Sequence, residues 1–294
     1  MFSGAFGQML AGTAQGNPAV VAGPVTWSAG IVGQHPAATN AAFATLQLLL
    51  ALGLAWRPAV KVTLAASVAW SLAVWWLGEG LGGVLTPAAS PVTGAPGAAG
   101  IYALLAVLLW PAGRGGSSSF AAGRAVGALP ARLLWLVLWG SMAYLALQAA
   151  NPMSQGMRDM IAAMAAGEPG WIASIDHLAV ALLAGHGPQA SAILAVVLDV
   201  VAAGVFLPPR AARVTLILAA AVALAIWVVG ENFGGIFTGS ATDPNSGLML
   251  ALLAAAYWPA GKAVPAAAAG APAAPARPER PERAARAARA ARAA

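Results

Sequence analysis

Trp75-Trp76-Leu77-Gly78-Glu79-Gly80-Leu81-Gly82-Gly83-Val84-Leu85-Thr86 and Trp227-Val228-Val229-Gly230-Glu231-Asn232-Phe233-Gly234-Gly235-Ile236-Phe237-Thr238 are two copies of one pattern. Each follows a long apolar run. Each leads through a loop rich in Pro, Gly and hydroxyl residues to another apolar run that ends Trp-Pro-Ala-Gly, at Trp110 to Gly113 and Trp258 to Gly261. A repeat of this length sets an architecture before any single helix is assigned. The likeness reaches further back. Gln8-Met9-Leu10 matches Asp159-Met160-Ile161, Gly16-Asn17-Pro18 matches Gly167-Glu168-Pro169, and His35 matches His186. With a one-residue gap after the histidine, Pro36 matches Pro188 and Gln47 matches Asp199.

Composition names the solvent. Hydrophobic residues make up 60% of the 294 and charged residues 8%, against about 25% charged in an average soluble domain. That balance indicates a polytopic membrane protein. Cysteine is absent, which removes disulfides, thiolate metal sites, iron–sulfur clusters and Cys nucleophiles. The net charge of +6 is unevenly placed, because six of the thirteen arginines lie between Arg277 and Arg292. A basic tail against anionic lipid headgroups accounts for it better than nucleic-acid binding.

Seven apolar runs read as spans: about 38–56, 62–78, 98–110, 132–149, 189–207, 214–230 and 247–258. The third and seventh are short against the ~20 residues a bilayer core requires. Short apolar turns near Phe6 to Leu10 and Pro24 to Val32 read as interfacial helices. Met157, Met160, Ile161 and Met164 recur at helical spacing, which predicts an amphipathic surface helix. The run from Trp171 to Ala184 is split by Asp176-His177 and is assigned to the interface. Seven spans put fourteen of the fifteen Lys and Arg residues on one side, all but Arg158. The positive-inside rule then makes that side cytoplasmic. The N-terminus and both Gly-Glu loops face outward, and the C-terminus inward, across the plasma membrane.

The expected fold is therefore all-α, a polytopic transmembrane helical bundle of about seven spans in two tandem repeats. The repeats are parallel, because four spans separate equivalent helices. The first repeat covers 1–114, a flexible cytoplasmic linker 115–131, the second repeat 132–262, and a disordered Ala/Pro/Arg tail 263–294. The second repeat carries an extra leading helix, Arg132 to Ala149. Its counterpart in the first repeat is expected upstream of Met1.

The span pair in Leu46-Gln47-Leu48-Leu49-Leu50-Ala51-Leu52-Gly53-Leu54-Ala55-Trp56-Arg57-Pro58-Ala59 has one polar residue, a late glycine, then Arg-Pro-Ala and another apolar helix. In this the four-span unit resembles the DoxX-like membrane proteins, over about a third of each repeat. The doubled Gly-Glu-x-x-Gly-Gly signature is not general in that family. It resembles duplicated membrane proteins of actinobacterial type, from which no activity carries over. Some DoxX-type proteins work beside quinone-linked oxidoreductases, so the resemblance implies a quinone and a membrane redox partner.

Six side chains are candidates for ligand binding. Glu79 and Glu231 sit where their spans meet the outer surface, where a carboxylate is paired, hydrated or functional. They read either as an outward pair for a cation, a proton or a headgroup, or as loop staples bonded to the amides of Gly82, Gly83, Gly234 and Gly235. Gly78 and Gly230 complete that loop-structural set. His35 and His186, at the outer ends of spans one and five, are expected to line the same pocket. No metal-ligand spacing joins them, and Asp176-His177 either extends the site or caps a surface helix. Gln47 and Asp199 are polar positions inside spans and are expected to face the bundle interior. Trp75, Trp76, Trp110, Trp227 and Trp258 near span ends read as an aromatic belt. There is no phosphate-binding glycine loop, no Gly-x-Ser-x-Gly and no convergent triad, so no catalytic residue is assigned. Three functions stay open: a non-enzymatic membrane component with an outward-facing polar pocket, a quinone-linked electron-transfer subunit, and a small-solute or proton-coupled permease.

Overall fold

The computed structural model describes residues 5–111, 118–150, 155–165, 168–238 and 241–259. The expected tail 263–294, Arg114, Lys262, Gly167 and any helix upstream of Met1 lie outside those residues. The described chain is helical with no strand. Its helices are α1 (Ala5–Thr13), α2 (Ala19–Gln34), α3 (Pro36–Ala55), α4 (Val60–Leu77), α5 (Ala98–Leu108) and α6 (Gly123–Val126). They continue with α7 (Ala128–Ala150), α8 (Met157–Met164), α9 (Gly170–Leu182), α10 (Gly187–Gly204), α11 (Pro209–Ala225) and α12 (Asn245–Ala256).

Five stretches are long and apolar enough to cross a bilayer: α3, 57–77, α7, α10 and 209–230, of 18 to 23 residues. At 1.5 Å per residue they measure about 27–35 Å, the thickness of a hydrocarbon core. The chain is thus a helical membrane protein in contact with lipid. Proline opens α3 and α11 at their first positions, where a missing amide costs nothing. The third and seventh apolar runs fall short of the others. They form α5 and α12, of 11 and 12 residues, about 17 and 18 Å long.

Helix α7 packs on α10, α10 on α11, α11 on α12, α12 on α5 and α5 on α4. Lipid is as apolar as leucine, so such contacts rest on close fit rather than on the hydrophobic effect. Small residues supply the fit, with Ala131, Ala143, Ala146, Ala195, Ala202 and Ala219 all buried. Trp135 and Trp139 are fully buried with ring centroids 5.2 Å apart, and Trp135 Nε1 donates to Val201 O at 2.9 Å. Around the first half, α2 turns Val21, Val25, Ala29 and Val32 inward, at helical spacing, with α1 and α4 packed on it.

Two expectations change here. The stretch 118–131 is not a free linker. Phe120 is buried and stacks on Tyr257 at 5.4 Å, Ala122 N donates to Ala256 O at 2.9 Å, and α7 begins at Ala128. Gln47 and Asp199 do not face the interior: both are exposed on the outer surfaces of α3 and α10. Helix α3 has no buried residue at all, whereas α10 buries one face beneath α7.

The α3–α4 contact is set by a glycine. A Cβ on Gly53 would overlap the side chain of Thr63 in α4. Gly53→Ala is therefore expected to destabilise by about 1–3 kcal/mol through overpacking, despite alanine's better helix propensity. Thr63→Ala in the same chain should recover most of the loss. A double-mutant cycle on detergent melting temperatures would measure the coupling; additive effects would refute the contact.

Candidate functional site

Both Gly-Glu loops leave their helices in the same way. The Glu79 amide donates to Val74 O and the Glu231 amide to Ile226 O, each at 2.9 Å and five residues back. This widened last turn ends the α-helical ladder. Four consecutive left-handed residues follow in each copy. The φ values are 55°, 58°, 62° and 67° for Gly80 to Gly83, and 49°, 59°, 68° and 67° for Asn232 to Gly235. A left-handed residue costs about 1–2 kcal/mol unless it is glycine, with asparagine the best tolerated alternative. That cost accounts for the glycines of both loops and for Asn232, while Leu81 and Phe233 bear it. Gly82 and Gly234 have a second constraint, because a side chain there would run into the backbone at Pro96 or Pro244.

The left-handed turn folds each loop back onto the start of the next helix. Trp75 Nε1 donates to Pro96 O and Trp227 Nε1 to Pro244 O, each at 2.7 Å. Glu79 accepts from the Ala99 amide at 3.0 and 3.2 Å on its two oxygens. Glu231 accepts from the Gly247 amide at 2.8 Å and from the Ser246 hydroxyl. Each glutamate thus caps the first turn of a half-length helix, α5 or α12, where amides lack intrahelical partners and the helix dipole favours negative charge.

The staple reading of the glutamates named the loop amides as donors. The structure assigns those amides elsewhere: Gly82 and Gly234 donate to the backbone carbonyls of Glu79 and Glu231, at 2.9 and 2.7 Å. Trp75 and Trp227 are half-buried and spend their ring N–H groups on loop carbonyls, so they are structural members of the loops rather than belt residues. Trp76 and Trp258 remain exposed.

The two caps meet at one junction. A Cβ on Gly94, in the first loop, would contact Asn245 Oδ1 at 3.3 Å and Glu231 Oε1 at 3.5 Å. Burial pushes the Glu79 carboxyl up to about 7, against the lowering by the Ala99 amide and with further raising by Asp243 and Glu231. Burial likewise pushes Glu231 up to about 7, opposed by the bonds from Ser246 and Gly247 and reinforced by Asp243. Asp243 itself caps α12 through the Asn245 amide at 2.7 Å. The junction therefore holds three carboxyl groups within electrostatic reach.

The histidines do not join them. His35 and His186 are exposed, and His186 Nδ1 pairs with Ala184 O at 3.0 Å. Among the described residues no group of three His, Asp or Glu side chains is arranged to hold a metal. Gln47 and Asp199 are likewise apart from the junction, on the outer faces of their helices.

Two arrangements escaped the sequence reading, the burial of Asp176, named there only as a site extension or a helix cap, and an aromatic group. Asp176 on α9 is fully buried, neither of its oxygens is hydrogen-bonded, and burial raises its carboxyl. The Asn232 side chain lies beside it but donates to Met164 O at 2.9 Å. In the first half, Asn17 Nδ2 makes the corresponding bond to Thr13 O at 2.9 Å. Secondly, Trp171, Phe233, Phe237 and Trp227 form an aromatic group with centroids 5.0–5.6 Å apart. Trp171 lies about sixty residues from the phenylalanines it meets, so spacing gave no signal for its place in the group.

No family model, no curated protein and no solved structure matches this chain.

Proposed function

We propose that the chain is a non-enzymatic plasma-membrane component whose outer junction, at Glu79, Glu231 and Asp243, takes up protons near neutral pH. The observation that carries this reading is the matched pair of half-buried or buried glutamates, each capping a half-length helix and each with its carboxyl at about 7. The proposed architecture is two parallel DoxX-like repeats with seven crossings, α5 and α12 being the short ones. Arg57 and Lys61 at the α3–α4 turn, and Arg210 and Arg213 at the start of α11, support a cytoplasmic location for that end. The junction, at the opposite ends of α4 and α11, is then extracellular.

One observation favours a second reading, a proton-coupled permease. Helices α5 and α12 pack on each other, and half-helices that begin inside a bundle are a feature of transporter sites. Flux of protons or solute into liposomes, lost in the doubly substituted Glu79→Gln, Glu231→Gln protein, would select it. A quinone-linked role gains no particular support, since Trp75, Trp135 and Trp227 all donate to backbone carbonyls.

The titration has a definite sign. A carboxyl raised from 4.5 to about 7 on folding makes the folded state bind more protons between those values. Stability is then greatest at acidic pH and falls as pH rises through 7, by on the order of 3 kcal/mol per glutamate at most. In detergent, the apparent Tm of the native chain is expected to fall from pH 5 to pH 8. Glu79→Gln and Glu231→Gln should match it at pH 5 and exceed it at pH 8. Variants that melt lower at every pH would reduce the glutamates to loop staples.

Orientation has its own test, helped by the absence of cysteine. Leu85→Cys and Phe237→Cys, both at exposed loop positions, should react in intact cells with a membrane-impermeant maleimide. Trp56→Cys, at the α3–α4 turn, should react only after lysis. The reverse pattern would overturn the assignment of the junction to the exterior.

A further inference from the structure

Gln47 and Asp199 are exposed polar side chains well within the α3 and α10 spans; Thr45, beside Gln47, donates to its own helix at Ala41 O. Neither Gln47 nor Asp199 has a hydrogen-bond partner among the described residues. Each sits in a continuous exposed stripe at helical spacing: Ala44, Gln47, Leu48, Ala51 and Leu52 on α3, and Ile193, Val196, Asp199, Val200 and Ala203 on α10. An ionisable group inside a span ordinarily faces protein or a water-filled cavity, because hydrocarbon offers it no partner. Among the described residues none covers Asp199 on α10.

The two stripes are fitted to each other. Helices α4 and α11 both end at the junction where Glu79 and Glu231 lie within electrostatic reach, so they run toward the same side. Helix α3 packs on α4 and α10 packs on α11, each pair after a four-residue turn. Both α3 and α10 therefore run away from the junction, parallel to one another. Depth agrees as well. Gly53 and Gly204 make equivalent close approaches to Thr63 and Thr215. Gln47 stands six residues before the first glycine and Asp199 five before the second, a difference of about 1.5 Å along the membrane normal. A carboxamide offers both a donor and an acceptor, so it can satisfy a carboxyl group in either protonation state. Alanines at 44, 51 and 203 allow the backbones to approach.

We propose that the α3 stripe of one copy packs against the α10 stripe of a second copy, with the Gln47 carboxamide hydrogen-bonded to the Asp199 carboxyl. The contact joins α3 of each copy to α10 of another, reciprocally in a two-fold pair or head-to-tail in a larger ring where the rotation closes.

The cysteine-free chain makes this testable by cross-linking in native membranes. Leu48→Cys and Val200→Cys proteins, differently tagged and co-expressed, should form a mixed disulfide on oxidation, in excess of either like pair. Asp199→Leu and Gln47→Leu should each lower its yield about fivefold, the scale of one interhelical hydrogen bond, while Asp199→Asn should retain it. Absence of the mixed product, dominance of a like pair, or insensitivity to both leucine substitutions would overturn the proposal. If Asp199→Leu fails to accumulate, Gln47→Leu on the exposed α3 decides alone. The readout is independent of the pH dependence of melting, so each can fail without the other.

Discussion

A helix that starts within a membrane bundle leaves amides that neither lipid nor its own carbonyls can satisfy. This constraint organises the end of the molecule where Glu79 and Glu231 lie. Helices α5 and α12 begin beside the ends of long spans, and each has its first turn met by a carboxylate from the preceding loop, Glu79 or Glu231. To bring that carboxylate round, the chain must reverse within four residues, and it does so through a left-handed turn. The glycines, the asparagine at 232 and the indole bonds of Trp75 and Trp227 all follow from this need. The loop sequence records the cost of the turn more than it records a ligand.

The same caps bury the carboxyl groups that the proposed proton uptake would use. A carboxylate at a helix N-terminus is ordinarily held ionised by the amides it accepts. Here burial outweighs those bonds, and the neighbouring carboxyl groups add to it, so both glutamates stand near neutrality. Asp243 raises both carboxyls, and Glu231 raises Glu79 further. A structural device and a titratable one are thus a single set of atoms. A ligandless cap and a proton site are not competing descriptions of these residues.

Much of the architecture was legible in the sequence because the determinants are local. A run of apolar residues reports a helix, and the glycines and asparagine clustered in both loops report a tight turn. What could not be read depends on distance along the chain. The partners of the glutamates lie 16 and 20 residues away, at Gly247 and Ala99, and the nearer loop amides were the natural expectation. Asp199 illustrates a different gap. The rule that polar groups face inward assumes that the chain supplies its own interior, and α10 turns Asp199 toward none. Trp135 and Trp139 carried no mark to separate them from interfacial tryptophans, since burial beneath α10 depends on a helix pair 60 residues apart.

The departures between the two halves say more than their agreement. If the halves arose by duplication, the same carbonyl of the preceding helix has kept an amide donor by two routes. Asn17 supplies it to Thr13 O from the helix end, and Asn232 supplies it to Met164 O from within the loop. Moving the asparagine into the loop places it beside α9, at the position where α9 carries the buried Asp176 and α2 carries the equally buried Val25. The amide and the carboxyl thus came to share one site, with a small apolar residue in the other half. Conserved backbone demand with exchanged side chains is what a turn under steric control should display: the hydrogen bond is required, and the residue that makes it is free to move.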